Sequence, residues 1–402
     1  MKITKIETLR LGEFPNLVWV QVHTDAGITG LGETFYGARA VEQVMHETVA
    51  PLMLGQNPLQ IEKHSRKLLQ NYVGYNSSGA ETRAFSAFDI ALWDIFGKVT
   101  QQPVYQLLGG ACRDKLRAYN TCAGYRYVRQ RPVQSLDDWG IGAEKSEGPY
   151  EDLDAFLHHA DDLAESLLSE GYSGMKIWPF DFAAEASGGN DISPADMKKA
   201  LEPFEKIRKR VGDRIEIHVE LHTMWKLPAA IKIARALEPF RPYWYEDPIK
   251  MSNIDALKEF HDATPVWTTA SETLATRWSF REMFAKQAVS VAMLDVGWCG
   301  GLSEAKKIAT MAETHELPIA PHDCTGPVLL TASVHLATAS PNFLVQEVVR
   351  AAYFSWYQEL VEDLPPLKDG FISPLDAPGL GVRLRAGFRD RPDAHVQVST
   401  LD

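Results

Sequence analysis

Three patterns of apolar spacing follow one another along the chain. Residues 17–22 alternate, with Val18, Val20 and Val22 on one face. Asp25-Ala26-Gly27 then supplies a turn and residues 28–33 run back, which predicts an antiparallel strand pair. From residue 38 to about residue 106 the spacing is helical, most plainly over 81–98, where Phe85, Phe88, Ala91, Leu92 and Ile95 recur at helical intervals. Strands followed by helices describe a small α+β domain, residues 1–115.

After Gly109-Gly110 short apolar runs alternate with longer amphipathic stretches. The runs are 116–121, 174–178, 215–220, 243–246, 266–270, 291–295, 317–321 and 343–347. A helix over 150–170 is expected before the second run. Repeated βα units imply a parallel sheet with right-handed crossovers. Eight of them imply closure into a (β/α)8 barrel over residues 116–365, with its active site at the C-terminal ends of the strands. Residues 126–149, rich in polar, glycine and proline positions, read as a long loop over that mouth. Beyond Pro365-Pro366 the chain turns irregular, with short strands expected at 381–385 and 395–399. A tail cannot extend a closed barrel, so 366–402 is expected to pack back on the first domain.

A length of 402 residues accommodates this arrangement, and 45% hydrophobic with 23% charged residues excludes a disordered chain. Lys and Arg number 41 against 53 Asp and Glu, a net charge of −12. That argues against nucleic acid or an anionic membrane as partner. A small anionic substrate stays compatible, because a bound divalent cation reverses the local field. Cys112, Cys122, Cys299 and Cys324 form no C-x-x-C pair and read as reduced thiols. Charges occupy the place of a signal peptide's apolar run, and no stretch suits a membrane span, so a soluble cytoplasmic protein is expected.

Glu220, Glu246 and Glu272 each stand at the end of one of three consecutive strands, 26 residues apart in both intervals. Equal units are expected to set them at equal height, converging on one point. Three converging anions need a countercharge. A hard divalent cation with oxygen ligands and open positions, Mg²⁺, supplies it. Asp247 is adjacent, but strand alternation points it away. Asp295 ends the sixth strand and His322 the seventh, so they are expected side by side, the carboxylate fixing the tautomer of a general base. His222, two residues past Glu220, projects to the same side if the strand continues, a candidate second acid/base. His218 shares that parity but lies deeper and reads as packing. Lys176, near the end of the second strand, can pair with a substrate carboxylate or stabilise negative charge developing on it. Trp178 builds an aromatic wall two residues on.

With these residues in place the chain resembles the enolase superfamily, in its mandelate racemase-like group, over nearly its whole length. Ala91-Leu92-Trp93-Asp94-Ile95-Phe96-Gly97-Lys98 and Pro103-Val104-Tyr105-Gln106-Leu107-Leu108-Gly109-Gly110 are similar to the end of its capping domain. Trp244-Tyr245-Glu246-Asp247-Pro248 resembles its second metal-ligand motif, and Pro378-Gly379-Leu380-Gly381-Val382 its C-terminal signature. The spacing of Glu272, Asp295 and His322 agrees with its third ligand and His–Asp pair. The resemblance implies Mg²⁺-assisted abstraction of a proton α to a carboxylate through an enediolate. It also implies that the first domain caps the barrel mouth, with residues 33–37 in the lid. Glu347, ending the eighth strand, matches a glutamate near the substrate oxygens, and a homo-oligomer is expected.

Two positions depart from the group's pattern. Its Lys-x-Lys reads Lys176-Ile177-Trp178, without the second lysine that usually serves as a base. Its first metal ligand is commonly Asp and here is Glu220. Glu220-Leu221-His222 instead resembles the acidic-x-His pattern of galactonate and mannonate dehydratases, in which the equivalent histidine protonates a departing 3-hydroxyl. The expected reaction is loss of water from a sugar acid of aldonate type to a 2-keto-3-deoxy acid. A one-base cycloisomerase or epimerase, or a non-catalytic metal-binding sensor of the same fold, are the alternatives.

Overall fold

The computed structural model describes residues 1–69, 78–129, 131, 135–140 and 148–401. The N-terminal sheet holds β1 (Ile3–Leu11), β2 (Leu17–Thr24) and β3 (Thr29–Phe35), all antiparallel. Strand β1 lies within the first forty residues, which read as strands, and adds a third strand to the expected pair, with a register shift between Ile3 and Lys5. The helix Ala80–Thr100 lies across β3 at close range. A Cβ at Gly30 or Gly32 would meet the carbonyl oxygen of Ala91 or Ala87 at 2.1 and 1.9 Å, so only glycine admits this approach.

The barrel strands are β4 (Leu116–Thr121), β5 (Gly174–Ile177), β6 (Glu216–Glu220), β7 (Trp244–Glu246), β8 (Trp267–Ala270), β9 (Val291–Ala292) and β10 (Gln346–Val348). From β4 to β9 neighbours pair in parallel, and β10 pairs with β4. The seventh position is reduced to Ile319, which bridges Ala292 on one side and Phe343 on the other, so the ring still closes. The fold is a capping domain on a (β/α)8 barrel. The helix expected over 150–170 is two, Asp152–His158 and Ala160–Ser169, broken where His159 leaves helical geometry. Within the loop 126–149, residues 130, 132–134 and 141–147 lie outside the described residues. Tyr127 and Trp139 of this loop pack on Trp178, with ring centroids 5.5 and 6.0 Å away.

The tail serves both units. Leu367–Lys368 and Phe371–Ile372 form a hairpin on the start of β4. Arg383–Leu384 pairs with Val361–Glu362. Leu380 donates its N–H to Asp94 in the capping helix, and the strand Ala394–Thr400 pairs along all of β1's second half. The tail's first part thus rests on the barrel, and only its later part reaches the capping domain. Among the described residues no helix is long and apolar enough to cross a membrane.

Two buried carboxylates fasten cap to barrel. Asp89 accepts from the N–H and hydroxyl of Ser303 at 2.9 and 2.5 Å. Glu33 accepts from the N–H groups of Val328 and Leu329, at 3.1 and 2.9 Å, and from the Trp19 indole at 2.5 Å. It therefore caps the helix Pro327–Thr338. It is fully buried and does not belong to the substrate-facing lid expected of residues 33–37. Burial pushes its pKa up to about 8, against the pull of these hydrogen bonds. The folded state then holds a proton that the unfolded chain releases, so stability declines as pH rises from the ordinary glutamate range through 8. In Glu33→Gln that slope is expected to disappear. Relative to the variant, the wild type should lose on the order of 2 kcal/mol between pH 6 and pH 9. Urea midpoints across this range measure it, and parallel pH profiles would refute it.

Candidate active site

Glu220 ends β6 and stands opposite Glu246 in the parallel register with β7. The next pairing is offset: Glu246 faces Thr269, and Glu272 lies three residues further, beyond the end of β8. Equal sequence intervals therefore do not mean equal height. Barrel strands are tilted and staggered, so a turn rather than a strand end presents the third carboxylate. The three groups nevertheless converge, with one oxygen of each within 4.8 Å of the others. Glu220 Oε1 is aimed by the N–H groups of Leu221 and His222, at 2.9 and 2.6 Å. The chain turns left-handed at His222 (φ 48°) and Asp247 (φ 43°), so strand parity stops at both. Asp247 is consequently not directed away from the cluster. It is buried, accepts from Ser271 Oγ at 2.9 Å, and burial with the charges of Glu220 and Glu272 raises its pKa strongly.

Lys176 reaches this cluster from β5. Its Nζ lies 2.5 Å from Glu246, 2.8 Å from Glu347 and 3.5 Å from Glu220. Burial opposes its charge, but these carboxylates hold its pKa well above the ordinary value. Glu347 is occupied on both sides. Besides Lys176 it accepts from the Thr121 hydroxyl, and from the Asp323 N–H at 2.8 Å. In the structure it pairs with Lys176. One lysine does not neutralise the group: burial and the neighbouring Glu220 still push Glu246 well above its ordinary range. An all-oxygen, buried, electron-rich donor set with surplus negative charge fits a hard divalent cation.

Two histidines flank the carboxylates, each held by an aspartate. His322 Nδ1 lies 2.7 Å from Asp295 Oδ2, the pairing expected from neighbouring strands, and its Nε2 lies 3.0 Å from Glu272. The N–H of Gly297 fixes the other Asp295 oxygen at 2.7 Å. His222 Nδ1 lies 2.6 Å from Asp181, which opens the short helix Asp181–Ser187 after β5. Burial opposes its protonation, but Asp181 and Glu220 raise its pKa to about 9. Asp181 escaped the sequence reading. Its position just past a strand end was the available signal, but nothing in the spacing links it to His222, 41 residues on.

His222, His322, Lys176, Glu272 and Trp178 line one cavity. Tyr36 and Trp298 also line it, and of the two only Trp298 was not anticipated. Tyr36 is the lid residue that residues 33–37 do contribute, turned inward by a left-handed backbone (φ 67°). His218 does not join them. It is enclosed by the rings of Tyr119, Tyr243 and Trp244, and burial lowers its pKa to about 4, which agrees with a packing role. The cavity can thus place a substrate between two oriented imidazoles beside an oxygen-rich cation site.

Known proteins share this architecture. An enolase of the mandelate racemase subgroup from Agrobacterium tumefaciens is 50% identical over 100% of this chain and 99% of its own, with a TM-score of 0.88. An enolase protein from Sargasso Sea environmental sequencing is 44% identical over 100% and 99%, with a TM-score of 0.88. A provisionally named dehydratase from Zymomonas mobilis ZM4 is 29% identical over 100% of both chains, with a TM-score of 0.87. Residues 12–109 match the family described as Mandelate racemase / muconate lactonizing enzyme, N-terminal domain. Residues 159–387 match Enolase C-terminal domain-like. The chain belongs to the enolase superfamily, with the N- and C-terminal domains of its mandelate racemase/muconate lactonizing enzyme group.

Proposed function

We propose that the protein is a Mg²⁺-dependent dehydratase of a sugar acid, converting an aldonate-type substrate to a 2-keto-3-deoxy acid. One observation carries this reading: two separately anchored His–Asp pairs open on the same cavity beside three clustered glutamates. Elimination of water needs a base for the α-proton and an acid for the 3-hydroxyl. Glu220, Glu246 and Glu272 would hold the cation, which when bound supplies Lewis-acid stabilisation of charge on the substrate carboxylate. With Glu272 holding the cation, His322 Nε2 would be free of its present partner. His322, oriented by Asp295, then takes the α-proton. His222, oriented by Asp181, delivers a proton to the departing hydroxyl. Lys176 keeps a fixed positive charge beside the ligand set, and Tyr36, Trp178 and Trp298 exclude water from the cavity.

Substrate turnover in D₂O, over a sugar-acid panel with Mg²⁺, tests these roles. His222→Asn is expected to suppress water loss at least 100-fold while α-proton exchange persists, within the ordinary range for a general acid. Asp181→Asn should show the same split, more weakly. Equal loss of both steps in His222→Asn would remove the leaving-group role. The same pair of histidines favours one second reading, a two-base epimerase. Exchange with inversion at the α-carbon, and no keto product from any panel member, would establish it instead.

A further inference from the structure

Of the three clustered glutamates, Glu272 is the one that no strand presents, so its place depends on whatever holds the turn that carries it. The hydrogen bonds of that turn centre on the Ser271 hydroxyl. It donates to Asp247 Oδ2 at 2.9 Å, which commits its single proton. Its oxygen is then the acceptor for the Thr273 N–H at 3.1 Å and for the Thr273 hydroxyl at 2.7 Å. The residues on either side of Glu272 are thus tied to each other and, through Ser271, to Asp247. The Leu274 N–H closes the turn on the Ser271 carbonyl at 3.3 Å.

Asp247 is itself fixed by its backbone. Its N–H donates to the Thr269 carbonyl in β8 at 3.0 Å, and its carbonyl accepts from the Thr223 N–H, next to His222, at 2.7 Å. Among the described residues the converging set is Glu220, Glu246 and Glu272, and Asp247 stands outside it. Its carboxylate is nevertheless buried, close enough to Glu220 and Glu272 for both charges to oppose its own. Ser271 is its one side-chain partner among the described residues, because Oδ1 has none. A buried carboxylate among like charges, held by one neutral hydroxyl, is unfavourable for stability. Fold stability therefore does not account for an acid at this position, whereas its grip on the turn of Glu272 does.

We propose that Asp247 is a positioning residue of the cation site: through Ser271 it holds the turn that brings Glu272 to Glu220 and Glu246. Its own carboxylate does not touch the ion. The proposal rests on the Mg²⁺-dependent reading for the ion alone, and not for the substrate or the reaction.

Calorimetric titration of the metal-free protein with Mg²⁺, without substrate, tests it. Ser271→Ala changes no charge and is expected to lower Mg²⁺ affinity by about 10–100-fold, the range for groups that support a ligand. Asp247→Ala should fall in the same range. In that background Ser271→Ala should add no more than about twofold, because the two residues act as one unit. Asp247→Asn keeps an oxygen to accept from Ser271 and should stay within about fivefold of the wild type. A merely structural role would lower the metal-free melting point and leave affinity unchanged. A loss below about fivefold in Ser271→Ala overturns the proposal, as does an Asp247→Asn variant as weak as Asp247→Ala, which would show that the charge and not the hydrogen bond matters. Crystal structures of the metal-free wild type and Ser271→Ala give a second readout. In the variant Glu272 is expected to leave the other two glutamates and its 3.0 Å contact with His322. Glu272 unmoved overturns the proposal as well. A wild type that binds no Mg²⁺ would remove the cation reading, while the metal-free structures still decide what Asp247 positions.

Discussion

Replacing His322 with asparagine is expected to lower α-proton exchange by about 10³-fold, the larger part of what a positioned base contributes. Asparagine keeps a hydrogen-bonding group near Asp295 but cannot accept a proton at the position of Nε2. The loss should appear in exchange and in water elimination alike, since elimination follows proton removal. Because His322 touches the ligand set only through Glu272, metal affinity should change by no more than a few-fold. Deuterium incorporation followed by NMR, with calorimetric metal titration alongside, separates these effects. Exchange that survives in the variant would assign the base elsewhere, with His222 the first candidate.

The second large effect concerns Glu246→Gln. Glu246 lies at the centre of the carboxylate group, 2.5 Å from Lys176 and opposite Glu220 across β6 and β7. Its pKa is raised because burial and Glu220 both disfavour its charge. Removing that charge relieves repulsion in the metal-free protein while deleting a ligand. The metal-free variant should therefore melt no lower than the wild type. Its affinity for Mg²⁺ should fall about 100-fold or more, beyond the 10–100-fold typical of groups that merely support a ligand. At a Mg²⁺ concentration about 100 times the wild-type dissociation constant, the wild type gains about 2.7 kcal/mol and the variant little. Metal removal by chelator should return the wild type to its metal-free melting point. Equal stabilisation of both proteins by Mg²⁺ would remove Glu246 from the ligand set.

Much of this site is legible in the sequence, although two supporting arguments are mistaken. The three glutamates were found through their common spacing, yet Glu272 reaches the group from a turn three residues past the register position of Glu246. His222 was reached by extending a strand that in fact turns at that residue. In both cases the residue type and its nearness to a strand end were the sound signals, and assumed local geometry was not. Lys176 was placed near a strand end, but not as the enclosed partner of Glu246 and Glu347. Glu33 was placed in the lid, whereas it caps a barrel helix almost 300 residues away in sequence.

What the chain alone determined is the frame: a strand-and-helix cap, eight βα units, three acidic residues at or just past strand ends, and a histidine placed next to an aspartate. These derive from periodicity and from the repeat length of the units, both local properties. Tertiary structure alone decided that Asp181 holds His222, that Tyr36 turns inward, and that Ser271 ties the turn of Glu272 to Asp247. Each depends on left-handed turns or on loops from distant segments meeting above the barrel. The energy of those contacts is realised only once the ring has closed, so no spacing along the chain encodes it.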